Sequence, residues 1–204
     1  MGWLTPTELT SASTVTSMPA LSAEPVAYII RNGGYPQEYY MVENRQKSGW
    51  DAQIPGSGLV IFHVDFDANT WTGVSGGWPN PGSNDRYLVF AANNQTYYDS
   101  NSGWPYPYSG NNELTNTSSP AATLNKANTD GTKLMSKPIT NIQVTGGLAS
   151  FDFMGGGPSS IQAPVSTSSL QVLYDIGPVR IVRMPNGEIK KVMNVSASSL
   201  FMFE

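Results

Sequence analysis

"EYYMVENRQKSGWDAQIPGSGLVIFHVDFD", residues 38–67, decides how this chain folds. Its first part alternates: Tyr40, Val42 and Asn44 fall on one side of an extended strand, Tyr39, Met41 and Glu43 on the other. "GLVIFHVDF" (58–66) is apolar on both sides, the pattern of a central strand covered on both faces. Between the two runs, Trp50, Asp51, Pro55 and Gly56 sit in a segment of turn-forming composition. Polar residues gather where the runs end, which raises a direct question. They are either an active site or the scaffold of one.

Working outward, "VAYIIRN" (26–32) has strand character and stops at Gly33-Gly34, and "RYLVFAA" (86–92) reads as a further strand. "PITNIQVTGGLASFDFMGG" (138–156) predicts a hairpin turning at Gly146-Gly147, with Ala149, Phe151 and Phe153 on one face. Residues 1–24 read as a connector. The polar stretch 93–136 is too long for an ordinary loop and is expected to be packed or functional. Residues 157–169 have linker composition. Beyond them "LQVLYDI" and "VRIVRMPNGEIKKVM" predict two or three short strands with a turn at Asn186-Gly187. The expected fold is mainly β: an antiparallel β-rich portion with long loops over 1–156, then a small β-hairpin tail over 170–204.

Composition narrows the function classes. Charged residues make up 13% of the 204, about half the usual share, while Gly, Ser, Asn and Tyr are abundant. That balance looks extracellular, although "MGWLTPTELT" has neither the basic start nor the apolar core of a signal peptide. A net charge of −4 and no basic stripe argue against nucleic acid as a partner. No apolar run reaches the roughly 18 residues of a membrane span. There is no cysteine, so disulfides, thiolate zinc sites and cysteine nucleophiles are all excluded.

The single histidine, His63, limits the chemistry further. A His-Glu-x-x-His zinc site needs two imidazoles. A Ser-His-Asp arrangement lacks its Gly-x-Ser-x-Gly elbow, because Ser57 in "PGSGL" precedes a strand. His63 is therefore read as a histidine at the end of a core strand, bonded to a neighbour such as Asp65 or Glu43. Glu43, Asp51, Asp65 and Asp67 offer paired carboxylates of the glycosidase kind, with Arg45 as a ready ion-pair partner for any of them. "DFDAN" spaces Asp65, Asp67 and Asn69 two apart, which suits a loose calcium site. Thr70 and Gly76 stand where an EF-hand needs glycine and glutamate. The alternative for these residues is a turn in which Asp and Asn cap backbone amides.

Taken together, "GWLTPTEL", "PVAYIIRN", the 38–67 block and "KPITNIQVTGGLASFDFMGG" resemble the C-terminal part of secreted zinc metallopeptidases of the immune inhibitor A-like family, Bacteroidetes type. The resemblance covers roughly residues 1–156. It implies that the zinc-binding His-Glu-x-x-His helix and the methionine turn lie in a missing N-terminal catalytic half, upstream of Met1. Zinc would be the parent's cofactor, peptides and proteins its substrates, and no catalytic residue would fall in this chain. Glu43, Asn44, Arg45, Gln46, Trp50, Asp51, His63 and Asp65 match family positions, and the resemblance implies a scaffold role for them. The tail, "LQVLYDIGPVRIVRMPNGEIKKVMN", resembles a shortened Por (type IX) secretion sorting domain, which implies a secreted or cell-surface parent. A competing expectation is an extracellular module that holds peptide or glycan on Trp71, Trp78, Trp104, Tyr106 and Tyr108. These aromatics could equally pin a long loop to the core.

Overall fold

A computed structural model describes residues 4–71, 79–80, 85–95, 101–157, 160–162, 171–176, 179–183, 189–196 and 199–202. The chain divides into two compact units, residues 1–161 and 162–204. Nearly all regular structure is strand, and the antiparallel β-rich class holds.

The first unit is built on a five-stranded sheet. Its strands are β1 (Thr7–Glu8), β3 (Ala27–Arg31), β4 (Glu38–Arg45), β5 (Gly58–Asp65) and β6 (Tyr87–Val89), lying side by side in that order. Only the β1–β3 pairing is parallel. The opening stretch forms the centre: β4 and β5 pair in full register from Glu38 opposite Asp65 to Arg45 opposite Gly58. β4 shows strict alternation of buried and half-buried residues, as its sequence pattern requires. β5 is buried at seven of eight positions, as expected for a strand with neighbours on both sides.

A second sheet pairs β7 (Ile139–Thr145), β8 (Leu148–Phe153), β2 (Ser13–Met18) and β9 (Ser160–Gln162) in that order. The predicted hairpin is β7–β8, turning at Gly146 and Gly147, both at positive φ. Ala149, Phe151 and Phe153 are buried together. Residues 1–24 are more than a connector. Val15 and Met18 of β2 are wholly buried against β8, because "STVTSM" contributes apolar side chains at the positions that face the core. The interval 157–169 likewise contains β9.

The core collects the inner faces of both sheets. Tyr28 and Ile30 of β3, Tyr40 and Val42 of β4 and Leu59 and Ile61 of β5 are all buried. Tyr28 meets Phe151 edge-to-face with ring centroids 6.0 Å apart, a contact that contributes about 1 kcal/mol beyond its buried area.

The long polar stretch is packed. Leu114, Ala122, Leu124 and Met135 are buried, and isolated bridges tie Leu114 to Ile139 and Thr123 to Leu134. Main-chain bonds outside regular strands, such as Leu114 N–H to Ile139 O and Met135 N–H to Ala122 O, order it together with side-chain amides and hydroxyls. Asn111 donates to Ala92 O and Ser119 O, and Asn128 to Leu134 O and Met135 O. Earlier in the chain, a Cβ on Gly58 would run into the Tyr106 carbonyl, and φ at Gly58 is +148°. "PGSGL" is thus glycine-rich because the 102–106 segment crosses it closely.

The second unit is a four-stranded antiparallel meander: β10 (Gln171–Ile176), β11 (Val179–Arg183), β12 (Ile189–Ser196) and β13 (Ser199–Met202). The sequence predicted two or three strands here; β13 adds one beyond the expected end. The Asn186-Gly187 turn lies outside the described residues.

Candidate functional site

Two polar clusters occupy opposite ends of the β4–β5 pair. At the first end stand Glu38, His63 and Asp65, all on the inner face and all buried. Alternation carries the Tyr40–Val42–Asn44 face back two residues to Glu38, while β5 brings His63 and Asp65 onto the same side. Nε2 of His63 lies 2.7 Å from Oε1 of Glu38. The same carboxylate accepts the Asn125 N–H at 2.5 Å, the Asn32 Nδ2 at 2.9 Å and the Lys126 N–H at 3.0 Å.

Burial alone would raise the Glu38 carboxyl. The four donors outweigh it and hold the group below the ordinary glutamate range. An ionised carboxylate only accepts, so Nε2 of His63 carries the hydrogen. The imidazole is wedged edge-on to Tyr40, with centroids 5.9 Å apart, and tilted on Phe90 at 6.1 Å.

The expected partners of His63 were Asp65 or Glu43, and the structure corrects this to Glu38. Glu43 points to the opposite face of β4, out of reach. Asp65 instead accepts from Asn125 Nδ2 at 3.2 Å and faces the Arg86 guanidinium at 3.4 Å. Its other oxygen, Oδ1, is buried without a hydrogen-bond partner. Sequence reasoning missed Glu38 although it opens the decisive stretch. The signal was present in the alternation, which places its side chain on the buried face.

At the other end, Arg45 forks between two carboxylates: Nη2 to Glu43 at 2.7 Å and Nη1 to Asp51 at 3.1 Å. The two carboxylates therefore share one guanidinium rather than standing free as an acid–base pair. Asn44, wholly buried, donates to Met18 O and Gly147 O at 2.8 Å each, joining the five-stranded sheet to both hairpin and β2. Gln46 donates to Asn44 Oδ1 at 2.7 Å and orients it. Trp50, in a 3-10 turn over Gly49–Asp51, is 99% exposed. Of the eight residues that match family positions, it alone points away from the fold.

The Asp65–Asp67–Asn69 set acts as a turn. Oδ1 of Asp67 accepts the Thr70 N–H at 2.9 Å and caps a four-residue helix, Ala68–Trp71. Asn69 is exposed, and Oδ2 of Asp65 is held by Asn125 and Arg86. Among the described residues no group of three or more His, Cys, Asp or Glu is gathered as a metal would require.

The aromatic set is mostly tied to the protein. Tyr106 is fully buried, and burial pushes its phenol well above the usual tyrosine range. Trp71 packs on Phe66 and Tyr87, and Trp104 is half-buried. Tyr108 is exposed; Trp78 lies outside the described residues. Among the described residues no helix is long and apolar enough to cross a membrane.

The first cluster is closed from solvent. His63 and Glu38 are 3% and 0% exposed, with Tyr40, Phe90 and the 123–126 segment over them. Comparison with protein-family models, with curated proteins and with solved structures finds no match.

Proposed function

We propose that this chain is the non-catalytic, β-rich C-terminal portion of a secreted or cell-surface zinc metallopeptidase of the immune inhibitor A-like kind. Peptide-bond hydrolysis would belong to the parent, with zinc and the glutamate base in a preceding catalytic half. One observation carries this reading: Glu43, Asn44, Arg45, Gln46, Asp51 and His63 of the 43–65 block are engaged with the protein itself. Arg45 unites Glu43 and Asp51, Asn44 joins the two sheets, and the chain's single imidazole is closed under Glu38. Such a block braces a domain and leaves the chemistry to other residues.

The test is a peptidase assay of the purified chain on casein, with and without added zinc. The expected result is no hydrolysis and no stoichiometric zinc uptake. Zinc-dependent cleavage by this chain alone would overturn the assignment.

A further inference from the structure

Beyond β6 the chain turns over Ala91–Asn94 and runs against the 103–111 segment. The Ala92 and Asn93 N–H groups donate to Trp104 O and Gly103 O, both at 2.9 Å, and the Asn94 N–H returns to Ala91 O at 2.8 Å. A second turn is closed by two main-chain bonds, Tyr108 N–H to Asn111 O and Asn111 N–H to Tyr108 O, each at 2.9 Å. Asn94 at φ +53° and Ser109 at φ +50° hold left-handed backbone in these turns. That conformation is uncommon and costly outside glycine, and the main-chain bonds around it keep it in place.

An open hollow of about 400 Å³ is lined by both turns. Asn93, Asn94, Gln95, Tyr108, Ser109 and Asn111 are in its lining, and none of the described lining residues is charged. Part of this set is used by the fold. Asn111 Nδ2 donates to Ala92 O and Ser119 O at 2.8 and 2.9 Å, and Asn93 Oδ1 accepts the Gln95 N–H at 3.1 Å. The rest is available. Asn94, Gln95, Tyr108 and Ser109 are exposed, and their side-chain amides and hydroxyls bond to no described residue. Gly103 seats the aromatic ring: a Cβ there would stand 2.9 Å from Tyr108 Cζ and 2.7 Å from Asn93 Nδ2. The bare backbone lets both side chains lie on it.

Carboxamides and hydroxyls donate and accept at once, which matches the neighbouring hydroxyls of a sugar ring. The negative face of a phenol ring attracts the C–H face of a pyranose. An uncharged lining gives an ionised ligand no partner. The hollow has the size of a small-ligand site. Asn94, Gln95 and Ser119 also border a neighbouring cleft of about 300 Å³, which leaves room for a chain of sugars to continue.

We propose that this hollow binds a neutral oligosaccharide, stacked on Tyr108 and hydrogen-bonded by the Asn94 and Gln95 carboxamides. The site is separate from the peptidase reading and stands whether or not that reading holds.

The probes are cello-, manno-, xylo- and chito-oligosaccharides, each titrated into the full isotope-labelled chain. The side-chain signals of Asn94, Gln95 and Tyr108 are followed by NMR, and thermal melts check that each variant folds. At least one sugar is expected to shift these signals with a Kd of roughly 1 mM or below. Tyr108→Ala is expected to weaken binding about tenfold. Asn94→Gly removes a carboxamide and suits the left-handed backbone, so it is expected to weaken binding about threefold or more in a folded chain. No shift with any of the sugars at about 10 mM overturns the proposal. So does binding that is unchanged in both variants, which would put the sugar elsewhere. Equal binding of an oligogalacturonate, or shifts produced only by an uncharged Gly-Ser peptide, would also overturn it, by removing the selection for a neutral sugar.

Discussion

His63 and Glu38 meet across β4 and β5 at 2.7 Å, diagonal neighbours on the buried face of the sheet. The pair looks catalytic in composition and is structural in placement. Its carboxylate gathers donors from strand β4's neighbours and from the 125–126 main chain, so one side chain fastens the long polar stretch to the sheet.

Removing that charge leaves the donors without their acceptor. Glu38→Gln keeps the shape but offers a single carbonyl oxygen to four donors. It is expected to destabilise the protein by about 3 kcal/mol, the scale of breaking one side of a buried polar pair. Urea unfolding of the two proteins measures the difference; a loss under about 1 kcal/mol would mean that the donors find other partners.

The same carboxylate gives the protein an acid limit. Glu38 is held below its ordinary range in the fold, so its contribution is fully present above the unfolded value of about 4.3. It is lost as pH falls below that value and through the folded one. The urea midpoint should therefore drop between about pH 5 and pH 3, and the drop should be shallower in Glu38→Gln. An identical slope in the two proteins would assign acid sensitivity to other carboxylates.

Asn44 and Trp50 lie six residues apart in the same block and should respond in opposite ways. Asn44→Ala removes donors from two carbonyls and opens a small cavity, with an expected loss of about 2 kcal/mol. Trp50, 99% exposed, contributes nothing to packing, and Trp50→Ala should stay within about 0.5 kcal/mol of the parent chain. Thermal melts of both variants test the contrast.

The cap made by Asp67 separates a turn from a calcium site. Asp67→Ala should lower the melting temperature by the same amount in EDTA and in excess calcium, because Oδ1 already serves the Thr70 N–H. A loss seen only with calcium present would return Asp65, Asp67 and Asn69 to the role of ligands.

Much of this architecture was legible. Alternation located β4, a short apolar run rich in β-branched residues between turn signals located β5, and Gly146-Gly147 located the hairpin. β2 was hidden because Ser and Thr fill its outward positions and give it the composition of a connector. The 93–136 stretch was legible as unusual in length only. Part of its order comes from side-chain amides such as Asn111, Asn125 and Asn128, whose partners lie 7 to 40 residues away along the chain. The role of Arg45 between Glu43 and Asp51 was within reach of sequence, because all three stand within nine residues. The bond from Glu38 to His63 depends on strand register, which no local pattern prints.

The coding sequence immediately upstream of Met1 tests the central claim most directly. An in-frame segment encoding His-Glu-x-x-His, preceded by a signal peptide, is the predicted result and would supply the catalytic half that the proposed function requires. A stop codon or an unrelated gene in that position would contradict it.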